Sequence, residues 1–152
     1  MTVSTIILAA GKGTRMKSPK PKILHKIAGK YLIDFCVELA NRIKSKETIV
    51  VVGEEHKKVT KNALSDNGIK FCLQKNQLGT GDAVKIAIKN MRIRSKYILV
   101  LYGDTPFIKT GTIKKMIIKV APIWLDFNLR PNRCVSLLSD ITETRTSHRN
   151  FS

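Results

Sequence analysis

Short apolar runs alternate with amphipathic segments over residues 1–120, and this alternation predicts an α/β fold. The run over residues 3–8 is interpreted as apolar on both faces, which is typical of a central strand in a parallel sheet. The segments between the runs repeat their apolar residues at helical spacing, so strand, helix and strand form right-handed βαβ units. Three glycine-containing segments each follow a predicted strand, where doubly wound sheets bind their ligands. The expected architecture is a doubly wound, Rossmann-like and mostly parallel sheet.

The individual elements follow from these patterns in chain order. Strands are expected over residues 3–8, 48–52, 69–73 and 97–101. Helices are expected over residues 31–43 and 56–64, along an apolar stripe from Ala83 to Met91, and after Thr110, which can cap the last of them. Because a helix separates each strand from the next, the strands are expected to run parallel.

Length and composition favour a single globular domain. The chain has 152 residues, of which 43% are apolar. No run approaches the roughly 20 apolar residues of a membrane span, and the N-terminus lacks the pattern of a secretion signal. Cys36, Cys72 and Cys134 are odd in number and widely spaced, which favours reduced thiols. A cytoplasmic location without membrane insertion is therefore expected.

The formal net charge of +17 raises the question of a polyanionic partner. The cations are spread along the chain, aromatic residues make up only 6% of it, and none lies among the basic residues of the first loop. Stacking platforms for bases are therefore missing, and nucleic-acid binding is the least favoured interpretation. The local excess of cations over residues 12–22 is better explained by a nucleoside triphosphate.

The first loop combines glycines with cations directly after a predicted strand. Gly11 and Gly13 lack a Cβ atom, so backbone N–H groups there can approach an anion closely. Neighbouring cations can complete its neutralisation: Lys12, Arg15, Lys17, Lys20 and Lys22. The spacing is not that of a Walker A loop, and Met16 stands where a dinucleotide-binding motif has its third glycine. The loop therefore predicts a phosphate site of another kind.

Four segments together resemble the sugar-nucleotide nucleotidyltransferases, and in particular the N-terminal uridyltransferase domain of bifunctional GlmU enzymes. They are LAAGKGTRM at 8–16, PKILH at 21–25, QKNQLGTG at 74–81 and LYGDTP at 101–106. The resemblance spans roughly residues 3 to 120 and implies the nucleotide-diphospho-sugar transferase type of fold, in an incomplete form. It also implies the reaction of UTP with N-acetylglucosamine-1-phosphate, which yields UDP-N-acetylglucosamine and pyrophosphate with the help of Mg²⁺.

The resemblance implies a role for each matching residue. Arg15 would clamp the leaving pyrophosphate, Lys22 would stabilise charge at the α-phosphate, and Asp104 would hold the metal. The chemistry agrees, since a planar cation suits a multi-oxygen group and a lysine suits one phosphoryl oxygen. The implied nucleotide-binding residues are Leu8, Ala9, Ala10, Gly11, Gly13, Lys22, Gln74, Gln77, Gly79, Thr80, Tyr102 and Gly103. The residues alone leave simpler interpretations open: solvated loop cations, a turn-forming aspartate, a polar turn and a core tyrosine.

The sequence also departs from the family's pattern. Asp82 stands where the family usually has a histidine, and its anion near the nucleotide is expected to weaken binding. The family's sugar-binding residues and second metal-binding residue have no counterpart here, so a truncated form with weak or no activity is expected. An alternative is a UTP-binding module without catalysis that a separate chain completes.

Composition changes at residue 121. All nine glycines and every lysine precede it, whereas residues 121–152 contain four arginines and show no hydrophobic period toward their end. We interpret this tail as shifted-frame, degenerate or disordered sequence that does not match the family. The alternative is a genuine C-terminal element in which residues 123–125 and 134–138 cover exposed sheet.

Overall fold

The computed structural model describes residues 2–11, 13, 16, 18, 20–64, 68–93, 95–123 and 133–136. The strands found there are β1 (Val3–Ala9), β2 (Lys26–Ile27), β3 (Lys30–Tyr31), β4 (Thr48–Gly53), β5 (Lys70–Gln74), β6 (Tyr97–Tyr102) and β7 (Arg133–Ser136). The α-helices are α1 (Leu32–Arg42), α2 (Lys57–Ala63), α3 (Thr80–Met91) and α4 (Thr110–Ile123). Short 3₁₀ turns cover Lys22–Leu24 and Glu54–His56.

The main sheet has five parallel strands in the order β5-β4-β1-β6-β7. The chain runs outward from β1 through β4 to β5, and then returns to the other side of β1 with β6. The direction of winding therefore reverses between β1 and β6. This arrangement confirms the predicted doubly wound, mostly parallel α/β fold, and such a reversal opens a crevice at the carboxyl ends of the two strands.

Helices pack on both faces of the sheet. Ile7 of β1 belongs to a core cluster that includes Ile33 of α1 and Ile113 of α4. Ile6, the preceding residue, belongs to a second cluster that includes Ala87 of α3. Both isoleucines of β1 are fully buried, because a strand in the middle of three layers has apolar neighbours on each side. The run over residues 3–8 was predicted to be a strand for this reason.

Several features of the backbone differ from the prediction. The antiparallel hairpin of β2 and β3 was not predicted, because two-residue strands are too short to show a period; its turn places Ala28 and Gly29 at positive φ. Helix α3 begins at Thr80, before the apolar stripe begins at Ala83. Helix α4 continues past residue 120, where the prediction ended the domain.

Part of the predicted tail joins the main sheet. Strand β7 pairs with β6 in parallel, with Ile98 opposite Cys134. The strand overlaps residues 134–138, which the alternative interpretation assigned to a genuine C-terminal element. The other parts of the tail, residues 124–132 and 137–152, lie outside the described residues. A separate origin for the tail stays a prediction.

The described helices include none that is both long and apolar enough to cross a membrane.

Cys36 of α1 is a buried thiol that links this helix to the end of β6. Its Sγ lies 3.3 Å from the backbone oxygen of Tyr102 and 3.7 Å from that of Thr105, and its single S–H can donate to either. Burial raises the pKa of Cys36 from 9.0 to about 11, and the charge of Asp104 acts in the same direction. Burial also raises the pKa of Cys72. Cys36 and Cys72 are free, buried cysteines.

We expect Cys36 to make the fold less stable in alkaline solution. The folded pKa lies above the unfolded value, so the contribution of the thiol is complete below pH 9.0 and is lost as the pH rises through about 11. Urea unfolding at about pH 8 and about pH 10.5 should therefore show a smaller loss of stability in Cys36→Ala than in the parent chain. An equal loss in both chains would contradict this expectation.

Candidate functional site

A cleft of about 430 Å³ opens at the carboxyl ends of β1, β5 and β6, which is a volume typical of small-ligand sites. It lies where the winding of the sheet reverses. The lining residues are Leu8, Ala9, Ala10, Gly11, Gly13, Met16, Lys22, Ile23, Gln74, Gln77, Gly79, Thr80, Ala83, Tyr102 and Asp104. Every nucleotide-binding residue predicted from the sequence is among them except Gly103, and the predicted metal ligand Asp104 is present too.

The glycine loop brings the chain close to Lys22. Gly13 has a φ of +59°, and a Cβ atom on it would lie 3.2 Å from the Cβ of Lys22. The turn that follows is closed by the Met16 amide, which donates to the Gly13 oxygen at 2.9 Å. Gly11 has open space where its Cβ would be. A side chain at position 13 would therefore strain the backbone and crowd Lys22. A side chain at position 11 would instead extend into the open space beside the loop.

Lys22 and Asp104 meet across the cleft, although 82 residues separate them in sequence. The Lys22 ammonium donates to Oδ2 of Asp104 at 2.6 Å. Ile23 and Leu24, which follow Lys22, are buried and anchor its backbone. The side chains remain 43% and 31% exposed, and ion pairs this open to solvent contribute about 1 kcal/mol or less. A ligand of either charge can therefore displace one partner at little cost.

Gly103 is buried and is not among the residues that line the cleft. Its amide donates to the Leu8 oxygen at 2.9 Å and so joins the ends of β1 and β6. A Cβ atom at this position would lie 3.0 Å from Cγ2 of Ile23 and 3.1 Å from the Leu8 oxygen. The glycine therefore lets the segment that carries Lys22 pack directly against the two strands.

We expect Gly103→Ala to destabilise the fold by about 1–3 kcal/mol, the usual cost of forcing an extra carbon into a packed site. The crowding atom on Leu8 belongs to the backbone of a central strand, which cannot move without disturbing the sheet. Gly111→Ala is the matched control, since no atom beyond its chain neighbours and the backbone of its own helix lies within 4 Å of its Cβ position. Urea unfolding of both variants measures the effect. Equal stabilities for the two would show that the contact at Gly103 relaxes freely.

The segment after β5 is held by Gln74, which is only 3% exposed. Its Nε2 donates to the Gly79 oxygen at 3.1 Å and to Oδ2 of Asp82 at 2.8 Å. Gly79 has a φ of +107°, a conformation that strongly favours glycine, directly before α3. Gln77 fits closely against Gly53, where a Cβ would lie 3.0 Å from its Nε2. Asp82 thus bonds to a predicted nucleotide-binding residue.

Two further predicted residues, Arg15 and Tyr102, have different positions relative to the described part of the chain. Arg15, the predicted pyrophosphate clamp, lies outside the described residues. Tyr102 ends β6 half-buried at the edge of the cleft. Three apolar lining residues were not predicted as site residues: Met16, Ile23 and Ala83. Met16 and Ile23 belong to the quoted motifs, so their place in the cleft could have been predicted from the motifs. Ala83 belongs to a helical stripe, which indicated only that it packs in the core.

Asp104 is the residue of the cleft whose carboxylate could hold magnesium. The described part of the chain holds no group of three or more histidine, cysteine, aspartate or glutamate side chains that could bind a metal. Mg²⁺ is usually held by one or two carboxylates together with substrate phosphates and water. Lys22 takes one oxygen of Asp104, and no described residue donates to the other. One carboxylate in a cleft of this size therefore fits a magnesium ion that arrives with a phosphate ligand.

The winding of the sheet, the glycine loop and the lysine–carboxylate pair define the class of α/β domains that bind nucleotides at the carboxyl edge of a parallel sheet. A family model described as "MobA-like NTP transferase domain" matches residues 5–123. The chain belongs to this family of NTP transferases.

Curated relatives support this membership and confirm the predicted resemblance to the N-terminal part of GlmU. The bifunctional protein GlmU of Buchnera aphidicola subsp. Schizaphis graminum is 43% identical over 114 residues, which are 75% of this chain and 24% of that protein. GlmU of Thermoanaerobacter pseudethanolicus is 40% identical over 144 residues, or 95% of this chain and 29% of that protein. The second alignment includes residues beyond 120. The chain spans about a quarter of the length of these relatives.

Solved structures support the fold. Rv0371c from Mycobacterium tuberculosis superposes with a TM-score of 0.67 at 20% identity, over 80% of this chain and 61% of that one. A nucleotidyl transferase from Methanothermobacter gives a TM-score of 0.65 at 22% identity, over 75% of this chain and 56% of that one.

Proposed function

We propose that the cleft binds UTP together with Mg²⁺ and forms the nucleotide half of an N-acetylglucosamine-1-phosphate uridyltransferase site. The observation that carries the proposal is the meeting of Lys22 and Asp104 in one cleft at the reversal of the sheet. One group suits a phosphate and the other suits a hard cation. The choice of uridine and of the sugar phosphate comes from the resemblance to the uridyltransferase domain of GlmU enzymes, and the identity to GlmU proteins supports that resemblance.

In this reaction an oxygen of the sugar-1-phosphate attacks the α-phosphorus of UTP, and pyrophosphate leaves. Such transfer depends on charge neutralisation and in-line positioning more than on acid–base groups. Lys22 would exchange the Asp104 carboxylate for an oxygen of the α-phosphate and stabilise the charge that develops there. Arg15 would bind the departing pyrophosphate through its planar guanidinium.

Asp104 would use its freed carboxylate to hold the metal. Mg²⁺, when bound, neutralises part of the triphosphate charge and orients the phosphates. A manganese complex of the structural neighbour Rv0371c supports a divalent cation in this kind of fold. Both partners of the ion pair therefore gain a counter-charge when the nucleotide and its metal enter together.

We expect magnesium UTP to raise the melting temperature of the chain, and magnesium alone to have a smaller effect. A ligand at about 100 times its dissociation constant adds about 2.7 kcal/mol of stability, which a thermal melt detects readily. A melt with magnesium and adenosine, which has no phosphate, is the control. No shift at millimolar UTP with Mg²⁺ would overturn the proposal.

A second candidate is a UTP-binding module without catalysis. It is favoured because the residues that line the cleft match the nucleotide-side motifs. Measuring pyrophosphate release from UTP and N-acetylglucosamine-1-phosphate distinguishes the two. Turnover selects the transferase, whereas a UTP-dependent melting shift without turnover selects the module.

A further inference from the structure

We propose that Asp82 is a positioning residue that fixes the amide of Gln74 and thereby selects a pyrimidine base with an N–H group at ring position 3. The proposal rests on the proposed function, in which the cleft binds a nucleoside triphosphate. It reverses the expectation from sequence that the anion of Asp82 acts on the nucleotide directly.

The orientation of the Gln74 amide follows from its partners. The side-chain group of Gln74 that faces α3 contacts the backbone oxygen of Gly79 at 3.1 Å and a carboxylate oxygen of Asp82 at 2.8 Å. Both partners can only accept hydrogen bonds. The group between them must therefore be the NH₂, because the amide oxygen would face two other oxygens. Its two N–H groups are matched by two acceptors, and neither is left for a ligand.

The amide oxygen of Gln74 is consequently the atom that can bind a base. No described residue donates a hydrogen bond to it. The buried side-chain atoms without a partner, among the residues that the structure describes, are Nε2 of His25, Oε2 of Glu47 and Oγ1 of Thr60. Oε1 of Gln74 is not one of them, and Gln74 lines the cleft.

An acceptor at this position distinguishes the pyrimidines. Uracil and thymine carry an N–H donor at ring position 3, whereas cytosine carries a lone pair there and would face the Gln74 oxygen with another acceptor. The first amides of α3 lie at the same end of the cleft, where Gly79 and Thr80 line it, and such amides lack partners within the helix. They can donate to a carbonyl of the same base.

An acid in the first turn stabilises any helix, so removing Asp82 is expected to destabilise α3 whatever its effect on the base. The experiment therefore needs a control variant that loses an acid at the same position of another helix. Asp34 provides it. Asp34 is the third residue of α1, as Asp82 is of α3, and its carboxylate accepts from the Tyr31 amide at 2.9 Å. Asp34 is not among the residues that line the cleft.

The test compares the dissociation constants of magnesium UTP and magnesium CTP, measured by calorimetry for the parent chain, Asp82→Ala, Asp82→Asn and Asp34→Ala. We expect the parent chain to prefer UTP, and Asp82→Ala to reduce that preference about tenfold, because a freed amide can turn its NH₂ toward the base. Asp82→Asn retains an acceptor and should keep most of the preference. Asp34→Ala should lower the melting temperature and leave the preference unchanged.

A second measurement covers the case in which Asp82→Ala fails to fold. In the parent chain without nucleotide, both side-chain amide hydrogens of Gln74 should exchange slowly with solvent in NMR spectra. Rapid exchange of both would overturn the proposal.

The binding data distinguish a failure of the proposed role of Asp82 from a failure of the proposed nucleotide binding. An unchanged preference in Asp82→Ala, or equal affinity of the parent chain for UTP and CTP, overturns the role of Asp82 and leaves nucleotide binding intact. Failure of the parent chain to bind either nucleotide overturns the proposed function, and the role of Asp82 with it.

Discussion

Replacing Lys22 with alanine should weaken the binding of magnesium UTP and slow any turnover by about 100- to 1,000-fold, the scale on which one preorganised charge donor acts at a transferring group. The variant loses the cation proposed for the α-phosphate. It also leaves the Asp104 carboxylate without the partner that now lies 2.6 Å away. The local charge that meets the triphosphate therefore becomes more negative by one unit, which opposes binding.

Lys70→Ala is the matched control for this experiment. Lys70 forms an ion pair of similar exposure with Glu47 at 2.9 Å, but it stands at the amino end of β5, away from the cleft. Calorimetry with magnesium UTP should give nearly the same affinity for Lys70→Ala and the parent chain. If Lys22→Ala also bound UTP as tightly as the parent chain, the cleft would not be the phosphate site.

Replacing Ile33 with alanine should reduce the free energy of unfolding by about 2–5 kcal/mol, because a fully buried isoleucine leaves a cavity as well as losing its burial. Ile33 belongs to the core cluster that joins α1 to Ile7 of β1 and Leu101 of β6. The loss is large beside the 5–15 kcal/mol that usually separates folded from unfolded domains. Urea unfolding measures it directly.

Ile118→Ala is the control for the core substitution. Ile118 also lies in a helix, α4, but its side chain is 66% exposed. We expect its removal to change stability by less than about 0.5 kcal/mol, as surface substitutions usually do. Similar losses at both positions would mean that the face of α4 bearing Ile118 is covered in solution.

The central strands could be predicted from sequence because burial on both faces leaves a plain signature. Residues 97–101 form a continuous apolar run and residues 3–8 are apolar except for Ser4 and Thr5, and the structure places strands at both. The hairpin of β2 and β3 has no such signature, since its strands have two residues each and are mostly exposed. Its turn depends on Ala28 and Gly29 at positive φ, a conformation that neighbouring residues impose and a hydrophobic pattern does not reveal.

The motifs predicted which residues gather in the cleft but not how they contact one another. Lys22 and Asp104 were assigned to different ligands, and nothing in either motif indicated that they pair with each other. Gly103 was expected to contact the nucleotide, whereas its packing against Ile23 and Leu8 depends on distances between three separate segments. The acceptor role of Asp82 toward Gln74 depends likewise on where β5 ends relative to α3.

The order of the strands has a consequence for folding. The cleft draws its walls from the ends of β1, β5 and β6, and the contact between β1 and β6 closes a loop that contains most of the other elements. Loops of this length form late, because their entropy must be lost before the contact is gained. A nucleotide would therefore bind only to chains in which β1 and β6 have already paired. Its measured affinity would then decrease in any variant that leaves part of the domain unfolded.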